Sequence, residues 1–236
     1  MAAGRPPTRT LAVAGQVVRF AVGTRREGAR LTALATDEGR MLRRLLAAVR
    51  DGDTFVDVGA NIGTVTLPVA RTGRAECLAF EPEPHNAARL AGNVALNDLA
   101  NVTVIEAAMW SASGTIGLRA RGAVGTGTHT VAEDEGPGLT PVPATTIDEL
   151  AASSGRAPDV VKVDVEGAEL EVLRGAARTL GAGEIRELFV ETHPAGLAAR
   201  GSSEDELAGF LDRLRYAQVW AAARSTEAHR HFLPRR

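Results

Sequence analysis

Short apolar runs alternate with longer helical patterns along most of the chain. Continuous apolar runs predict strands at 54–58, 76–80, 102–107, 160–165, 188–191 and 217–222. Apolar positions recurring at helical spacing predict helices at 62–71, 84–97, 168–179 and 204–215. Strands separated by such helices pair in parallel through right-handed crossovers. The pattern therefore predicts an α/β domain over residues 51–236, with a doubly wound, mostly parallel sheet.

Three segments depart from this alternation. Residues 1–50 form a small N-terminal extension, with a predicted hairpin within 11–22 and a helix over 38–49. Residues 112–146 are rich in glycine, threonine and proline, and a loop this long is either functional or a plain solvated insertion. We interpret it as a hairpin and flap beside the substrate pocket. The polar tail, 228–236, is predicted to fray.

Composition excludes several classes of function. A net charge of −2 and an aromatic content of 4% argue against a nucleic-acid binder, which needs basic grooves and stacking platforms. No apolar run approaches the ~18 residues that cross a bilayer, and no export signal is evident. The single cysteine, Cys77, excludes an internal disulfide and suits a reducing cytoplasm. We expect a cytoplasmic protein that acts on a small molecule, with residues 1–50 available as a homo-oligomer interface.

The first strand of the domain ends in a glycine-containing turn with chemistry typical of a cofactor site. Gly59 and Gly63 allow a tight turn and a close backbone approach to a ligand, while Asp57 acts on the ligand or holds the turn. Glu81 ends the next strand, where an acidic side chain accepts both hydroxyls of an adenosine ribose. The alternatives are that Asp57 caps a helix and that Glu81 is a solvated strand end.

The same turn discriminates between adenosine cofactors. A dinucleotide fingerprint requires glycine at the positions that Gly59, Asn61 and Thr64 occupy, and only the first matches. Asn61 would place a side chain in the path of a pyrophosphate, which disfavours a nicotinamide oxidoreductase. A cofactor with an ammonium and a carboxylate and no phosphate fits better, so the turn predicts S-adenosylmethionine.

Adenine contacts are expected at the ends of the second and third strands. Pro82 either stops the second strand or lines the adenine. Glu106 and Ala107 end the predicted third strand, where an edge of the adenine would lie.

The fourth and fifth strands carry the candidate catalytic residues. Lys162, Asp164 and Glu166 alternate onto one strand face, although a central parallel strand is usually apolar on both faces. These charges either line a cavity or form a structural ion pair. Glu191 and His193 end the fifth strand and are expected at the same rim.

If S-adenosylmethionine transfers its methyl group to an alcohol, the alcohol must lose its proton as the new carbon–oxygen bond forms. The hypothesis is that His193 or Lys162 takes this proton, with Asp164 and Glu191 orienting base and acceptor. Asp164, Glu191 and His193 could in principle hold a divalent metal, but no tight ligand spacing supports one, so no metal is predicted.

Three stretches resemble the FkbM-type S-adenosylmethionine-dependent methyltransferases. They are residues 57–63, 80–82 and 162–175, of which the last (Lys-Val-Asp-Val-Glu-Gly-Ala-Glu, then Leu-Arg-Gly) is the most specific. The resemblance implies a seven-stranded, Rossmann-like class I methyltransferase fold and methyl transfer, usually to a hydroxyl of a sugar or natural-product scaffold. By position it implies cofactor contacts from Asp57, Gly59, Asn61 and Glu81, with Lys162, Asp164 and Glu166 between cofactor and acceptor.

Other functions stay open at this point. The acceptor could be a nitrogen or a carboxylate, because Glu166 and Glu191 could also steer a cationic amine. A non-catalytic module that binds an adenosine ligand would keep the fold without turnover. The identity of the acceptor is not encoded in any motif that the chain presents.

Overall fold

The computed structural model describes residues 7–33, 38–119, 130–132, 138–223 and 226–235. Its strands are β1 (Thr8–Val13), β2 (Gln16–Ala21), β3 (Asp53–Val58), β4 (Ala75–Phe80), β5 (Val102–Ile105), β6 (Ala108–Met109), β7 (Gly114–Arg119), β8 (Thr130–Ala132), β9 (Thr140–Thr145), β10 (Val160–Val163), β11 (Glu187–Thr192), β12 (Tyr216–Ala223) and β13 (Ala228–Pro234). Its helices are α1 (Arg25–Ala33), α2 (Glu38–Ala48), α3 (Thr66–Arg71), α4 (Pro84–Leu96), α5 (Ile147–Ser154), α6 (Glu169–Arg174), α7 (Ala177–Gly181), α8 (Pro194–Ala199) and α9 (Glu204–Arg213). No helix in this described part of the chain has the length and apolar character needed to cross a bilayer.

A seven-stranded sheet forms the centre of the fold, in the order β12-β13-β11-β10-β3-β4-β5. The strands from β11 to β5 pair in parallel, and β13 runs antiparallel to both of its neighbours. Phe55 of β3 packs into an apolar cluster with α2 and α3, while Val56 and Val58 pack into a second cluster with α6 and α9. Both faces of the sheet are thus covered, and the predicted α/β class with a mostly parallel, seven-stranded sheet is confirmed.

The C-terminal tail is part of this sheet, so the prediction that it frays is wrong. β13 lies between β11 and β12, and two of its histidines, His229 and His231, are buried. The Nε2 atom of His231 lies 2.8 Å from the carboxylate of Glu187 on β11, and its Nδ1 accepts from Arg44. The polar residues of this strand predicted a solvated tail, but in the structure its two histidines are buried and paired with other side chains.

The N-terminal extension forms a layer on one face of the sheet. β1 and β2 pair as an antiparallel hairpin, where the sequence predicts one. Phe20 of β2 and Leu42 and Leu45 of α2 are fully buried in the same apolar cluster as Phe55. The first 50 residues and the sheet therefore share one core across the predicted boundary.

Two buried asparagines of α4 attach the hairpin to the rest of the fold. Asn93 accepts a hydrogen bond from the backbone N–H of Ala21, and Asn97 accepts one from that of Arg19. Asn93 also donates to the carbonyl of Ile62, in the turn that follows β3. These side chains satisfy backbone groups along the free edge of β2, which would otherwise lack partners.

The described strands between Ala108 and Thr145 form a second, four-stranded sheet in the order β6-β9-β7-β8. β7 pairs antiparallel with both β8 and β9, and β6 pairs parallel with β9. Parts of the predicted flap, residues 120–129 and 133–137, lie outside the described residues.

Two predicted helices are shorter than their patterns suggested. α3 begins only at Thr66, because the chain first turns through Gly63, whose φ is +93° and whose Cβ would lie 2.2 Å from the side chain of Leu67. The predicted helix over 168–179 is divided into α6 and α7. A Cβ on Gly175, at this break, would lie 1.9 Å from the carbonyl oxygen of Trp110.

Candidate functional site

The turn after β3 brings the ends of three strands together. The N–H groups of Gly59 and Ala60 both donate to the carbonyl of Phe80, at the end of β4. Gly59 has a φ of +79°, and a Cβ there would lie 1.9 Å from the carbonyl oxygen of Asp164, which follows β10. The glycine was predicted to admit a ligand. In the structure it lines the pocket described below and also admits the backbone that follows β10.

Glu81 follows β4 with its carboxylate held by backbone donors. One oxygen accepts the N–H of Asn61 at 2.8 Å, and the other accepts that of Glu83 at 3.0 Å. Burial raises the pKa of Glu81 to about 7, although both hydrogen bonds oppose the rise. A buried carboxylate of this kind gains from a ligand that donates hydrogen bonds to it.

A pocket opens where β3, β4 and β10 end side by side. Its polar lining consists of Gly59, Asn61, Glu81, Asp164 and Glu166. Its apolar lining consists of Val58, Phe80, Pro82, Ala108, Met109, Leu118, Val165 and Ala168. Ligands of open α/β sheets bind at this edge, beyond the carboxyl ends of the strands. The pocket can therefore hold a molecule with one flat apolar part and one hydrogen-bonding part.

Glu106 and Ala107, which the sequence predicts beside the adenine, are not among the residues that line this pocket. β5 ends at Ile105, and the N–H of Ala107 donates to the Ile105 carbonyl in a tight turn. This turn leaves Glu106 exposed and Ala107 buried in the core. The next strand, β6, supplies Ala108 and Met109 to the pocket wall instead.

Lys162 and Asp57 lie just beneath the pocket, buried in the sheet. The Nζ atom of Lys162 lies 3.2 Å from Asp57 and 3.3 Å from Asp164, and it donates to the carbonyl of Gly59. Asp57 also accepts the hydroxyl of Thr66 at 2.6 Å. Burial alone would lower the pKa of Lys162, but the charges of Asp164 and Asp57 raise it above its usual value. Lys162 therefore remains protonated, and Asp57 supports the site from outside the pocket lining, as does Gly63.

His193 lies behind the pocket with acidic groups at both ring nitrogens. Its Nδ1 lies 2.7 Å from Glu169, and its Nε2 lies 3.7 Å from both Asp164 and Glu166. Glu169 also accepts the N–H of Gly167. Burial alone would lower the pKa of His193, but the hydrogen bond to Glu169 and the charges of Asp164 and Glu166 raise it to about 10.

Strand alternation places Lys162 and Asp164 together but does not extend to Glu166. β10 ends at Val163, and Glu166 adopts a φ of +54°, a conformation that is uncommon for a residue with a long side chain. Val165, which strand alternation would place on the opposite face, lines the pocket as well. Backbone strain of this kind clusters at functional sites.

Glu191 lies on the far side of His193 and does not line the pocket. Its carboxylate lies 3.0 Å from Nε2 of His229 on β13. A strand that the sequence analysis missed therefore supplies a partner for this predicted catalytic residue. Asp164, Glu166 and His193 bring ligand atoms within 4.8 Å of one another, and so do Glu191, His193 and Glu227.

Glu169, Met109 and Leu118 are among the residues of the site that were not singled out from the sequence. Glu169 belongs to the motif around residues 162–175 but resembles an ordinary acidic residue in the first turn of a helix. Met109 and Leu118 reach the pocket from the second sheet. No local sequence pattern predicts these two contacts, because they depend on how the second sheet packs against the rest of the fold.

Comparisons with known proteins agree with this geometry. A family model described as the methyltransferase FkbM domain matches residues 57–217. The hexuronic acid methyltransferase AglP of Haloferax volcanii is 36% identical over 184 residues, which cover 77% of this chain and 72% of that protein. Methyltransferase sdnD of Sordaria araneosa is 30% identical over 200 residues, which cover 71% of this chain and 76% of that protein. The crystal structure of an rRNA methylase from Streptococcus thermophilus is similar in fold, with a TM-score of 0.54 at 10% identity, covering 85% of this chain and 98% of that chain.

Proposed function

The chain belongs to the FkbM methyltransferase family and is an S-adenosylmethionine-dependent methyltransferase, and we propose that it methylates a hydroxyl oxygen of a sugar or sugar-like natural product. The observation that carries this proposal is the polarity of the pocket. All the charged side chains that line it within the described residues are acidic: Glu81, Asp164 and Glu166. Carboxylates accept hydrogen bonds from hydroxyl groups and can receive the proton that an alcohol loses.

The residues present fit S-adenosylmethionine. The buried carboxylate of Glu81 suits the two hydroxyls of a ribose, and the apolar side chains of Phe80, Pro82, Met109 and Leu118 suit a flat base. When bound, S-adenosylmethionine supplies an electrophilic methyl group on a positively charged sulfur. The acidic end of the pocket, with Asp164, favours such a cation.

Lys162 is assigned to positioning rather than to proton removal. A general base must be able to lose its own proton near the working pH. Lys162 is fully enclosed between Asp57 and Asp164, and their charges stabilise its protonated form. Its contribution is to hold the Asp164 carboxylate at the pocket and to offset part of the negative charge there.

Removal of the proton is assigned to Asp164 and Glu166 rather than to His193, because the raised pKa of His193 favours its protonated form, as it does for Lys162. Asp164 and Glu166 line the pocket, and His193 contacts both from behind. Glu169 takes the orienting position that the sequence analysis gave to Glu191, because it is Glu169 that lies 2.7 Å from the imidazole.

A sugar acceptor is supported by the relative that acts on hexuronic acid. Hexuronic acids carry both hydroxyls and a carboxylate, so two oxygen acceptors are chemically available. A bare carboxylate entering a pocket lined by acidic side chains would be repelled, and this observation favours a hydroxyl.

The test is to incubate the protein with S-adenosylmethionine and a panel of glucuronic acid glycosides, neutral glycosides and amino sugars. We expect a product one methyl group heavier whose methyl survives mild base, as an ether does. A methyl lost in mild base would identify an ester, and a methyl on an amino sugar nitrogen would identify an amine acceptor. Either result contradicts the hydroxyl proposal while leaving the methyltransferase activity intact.

A further inference from the structure

The acceptor end of the pocket contains an arrangement of donors that suits a metal ion. Nε2 of His193 lies 3.7 Å from an oxygen of Asp164 and 3.7 Å from an oxygen of Glu166, and the three ligand atoms lie within 4.8 Å of one another. We propose that Asp164, Glu166 and His193 bind a divalent cation of the Mn²⁺ class, which orients the oxygen acceptor. No metal is predicted from the sequence, and the geometry of these three side chains revises that expectation.

The three donors lie slightly farther apart than adjacent ligands of one ion, so their side chains must close around it when it binds. Ligands about 2.1 Å from a metal lie about 3.0 Å apart when adjacent in an octahedron and about 4.2 Å apart when opposite. The distance of 3.7 Å from Nε2 to each carboxylate lies between these values. It also exceeds the length of a normal hydrogen bond, so neither carboxylate is tied to Nε2 by one.

The groups behind the cluster fix the direction of each donor. His193 is more than nine-tenths buried, and its Nδ1 lies 2.7 Å from Glu169, which is itself held by the N–H of Gly167. An imidazole that keeps its Nδ1–H on a carboxylate presents Nε2 to a metal, as is usual for histidine ligands, and the proton on Nε2 leaves as the ion binds. Lys162 contacts Oδ2 of Asp164, and the other carboxylate oxygen, Oδ1, faces His193.

The charge of the pocket explains what the cation would do. Lys162 lies next to the pocket, between Asp57 and Asp164. A cation beside Asp164 and Glu166 would offset their charge and lower the pKa of an acceptor hydroxyl. This part of the inference rests on the proposed function, because it assumes an oxygen acceptor.

The donor set indicates the class of metal. Imidazole suits first-row transition metals, and carboxylates suit harder ions such as Mg²⁺ and Mn²⁺. One imidazole with two carboxylates therefore favours Mn²⁺, which is also a convenient probe because it is paramagnetic.

The second triad, Glu191, His193 and Glu227, shares His193 and provides an internal control. Glu191 lies 3.0 Å from His229, so a cation there would compete with an existing partner. Glu166 belongs only to the pocket triad, and Glu227 belongs only to the second one.

The experiment is a titration of the full chain with MnCl₂, without acceptor, followed by the loss of the free Mn²⁺ signal in electron paramagnetic resonance. We expect one ion to bind per chain, with affinity reduced at least about tenfold in Glu166→Gln and Asp164→Asn and unchanged in Glu227→Gln. Thermal unfolding of each variant checks that it folds. Glu166 is the safer substitution, because its side chain is one-third exposed.

A free Mn²⁺ signal that persists at millimolar protein would overturn the metal site. Affinity lost in Glu227→Gln but kept in Glu166→Gln would equally overturn it, since the ion would then belong to the second triad. Because Mn²⁺ binding is measured without acceptor, this outcome is independent of the proposed function. A chain that forms methyl ethers in excess chelator refutes the cation alone, and a chain that binds Mn²⁺ but makes only esters or amines refutes the hydroxyl acceptor alone.

Discussion

Lys162 lies between two carboxylates, with Asp57 at 3.2 Å and Asp164 at 3.3 Å. It is the only lysine in a chain whose other basic residues are arginines. Both carboxylates are largely buried, so removing the lysine leaves negative charges in the sheet without their shared cation.

The variant Lys162→Met is expected to lose activity and about 3–5 kcal/mol of unfolding free energy, as is typical when one partner of a buried ion pair is removed. Denaturant unfolding and turnover measure the two effects. The double variant Lys162→Met/Asp57→Asn also removes one of the two largely buried negative charges that Lys162 neutralises, so it should recover part of the lost stability. Full turnover in Lys162→Met would remove the lysine from the catalytic machinery.

Glu81 determines how cofactor binding depends on pH. Its pKa is raised to about 7 by burial, and a ribose diol donates hydrogen bonds to the ionised carboxylate. The ionised fraction falls from nearly complete at pH 8 to about a tenth at pH 6, so the affinity for S-adenosylhomocysteine should fall about tenfold. Calorimetric titration across this range measures the change, and Glu81→Gln should remove it. A wild-type affinity that is flat from pH 6 to pH 8 would contradict this account of Glu81.

At the scale of elements, the ends of β3 and β10 meet at Gly59. A Cβ there would lie 1.9 Å from the Asp164 carbonyl oxygen, whereas Gly52, with a similar φ of +83°, has nothing within 4 Å of its Cβ position. Comparing substitutions at the two glycines therefore distinguishes the cost of a positive φ from the cost of a steric clash.

We expect Gly52→Ala to cost about 1–2 kcal/mol from its left-handed φ alone. Gly59→Ala should cost more and should also weaken cofactor binding, because β10 must move away from β3. Unfolding free energies and S-adenosylhomocysteine affinities of the two variants test this comparison. Equal losses of stability would show that the Asp164 contact does not constrain the turn.

Local patterns predicted those elements whose side chains obey a simple rule. β3 and β4 are buried apolar runs, and their boundaries follow from the sequence within a residue. β13 was missed because its histidines are buried by pairing with Glu187 and Glu191, which are distant in sequence. Hydropathy alone assigns such residues to solvent.

The pocket shows the same limit of sequence reasoning. Spacing from the glycine turn was enough to single out Glu81, which lines the pocket. A tight turn after β5 leaves Glu106 exposed outside the pocket lining, and Leu118 was missed because it comes from the second sheet. Contacts that depend on tertiary packing cannot be predicted from the local sequence of one strand.

For the whole molecule, the N-terminal layer is expected to be indispensable. Phe20, Leu42 and Leu45 are fully buried in one apolar cluster with Phe55 and Leu67 of the sheet domain. Deleting residues 1–50 would expose that face of the sheet and remove far more apolar contact than marginal stability tolerates. We expect the fragment 51–236 not to unfold cooperatively in a thermal scan. A cooperative transition with retained cofactor binding would show that the two parts fold independently.

The most direct test of the proposed cofactor site is calorimetric titration of the whole chain with S-adenosylhomocysteine, alongside Glu81→Ala and Glu106→Ala. Glu81 lines the pocket, whereas Glu106 is exposed outside it. We predict saturable binding to the wild type, its loss in Glu81→Ala and an unchanged affinity in Glu106→Ala. Undiminished binding by Glu81→Ala, or loss of binding in a folded Glu106→Ala, would contradict the placement of the cofactor at the ends of β3, β4 and β10.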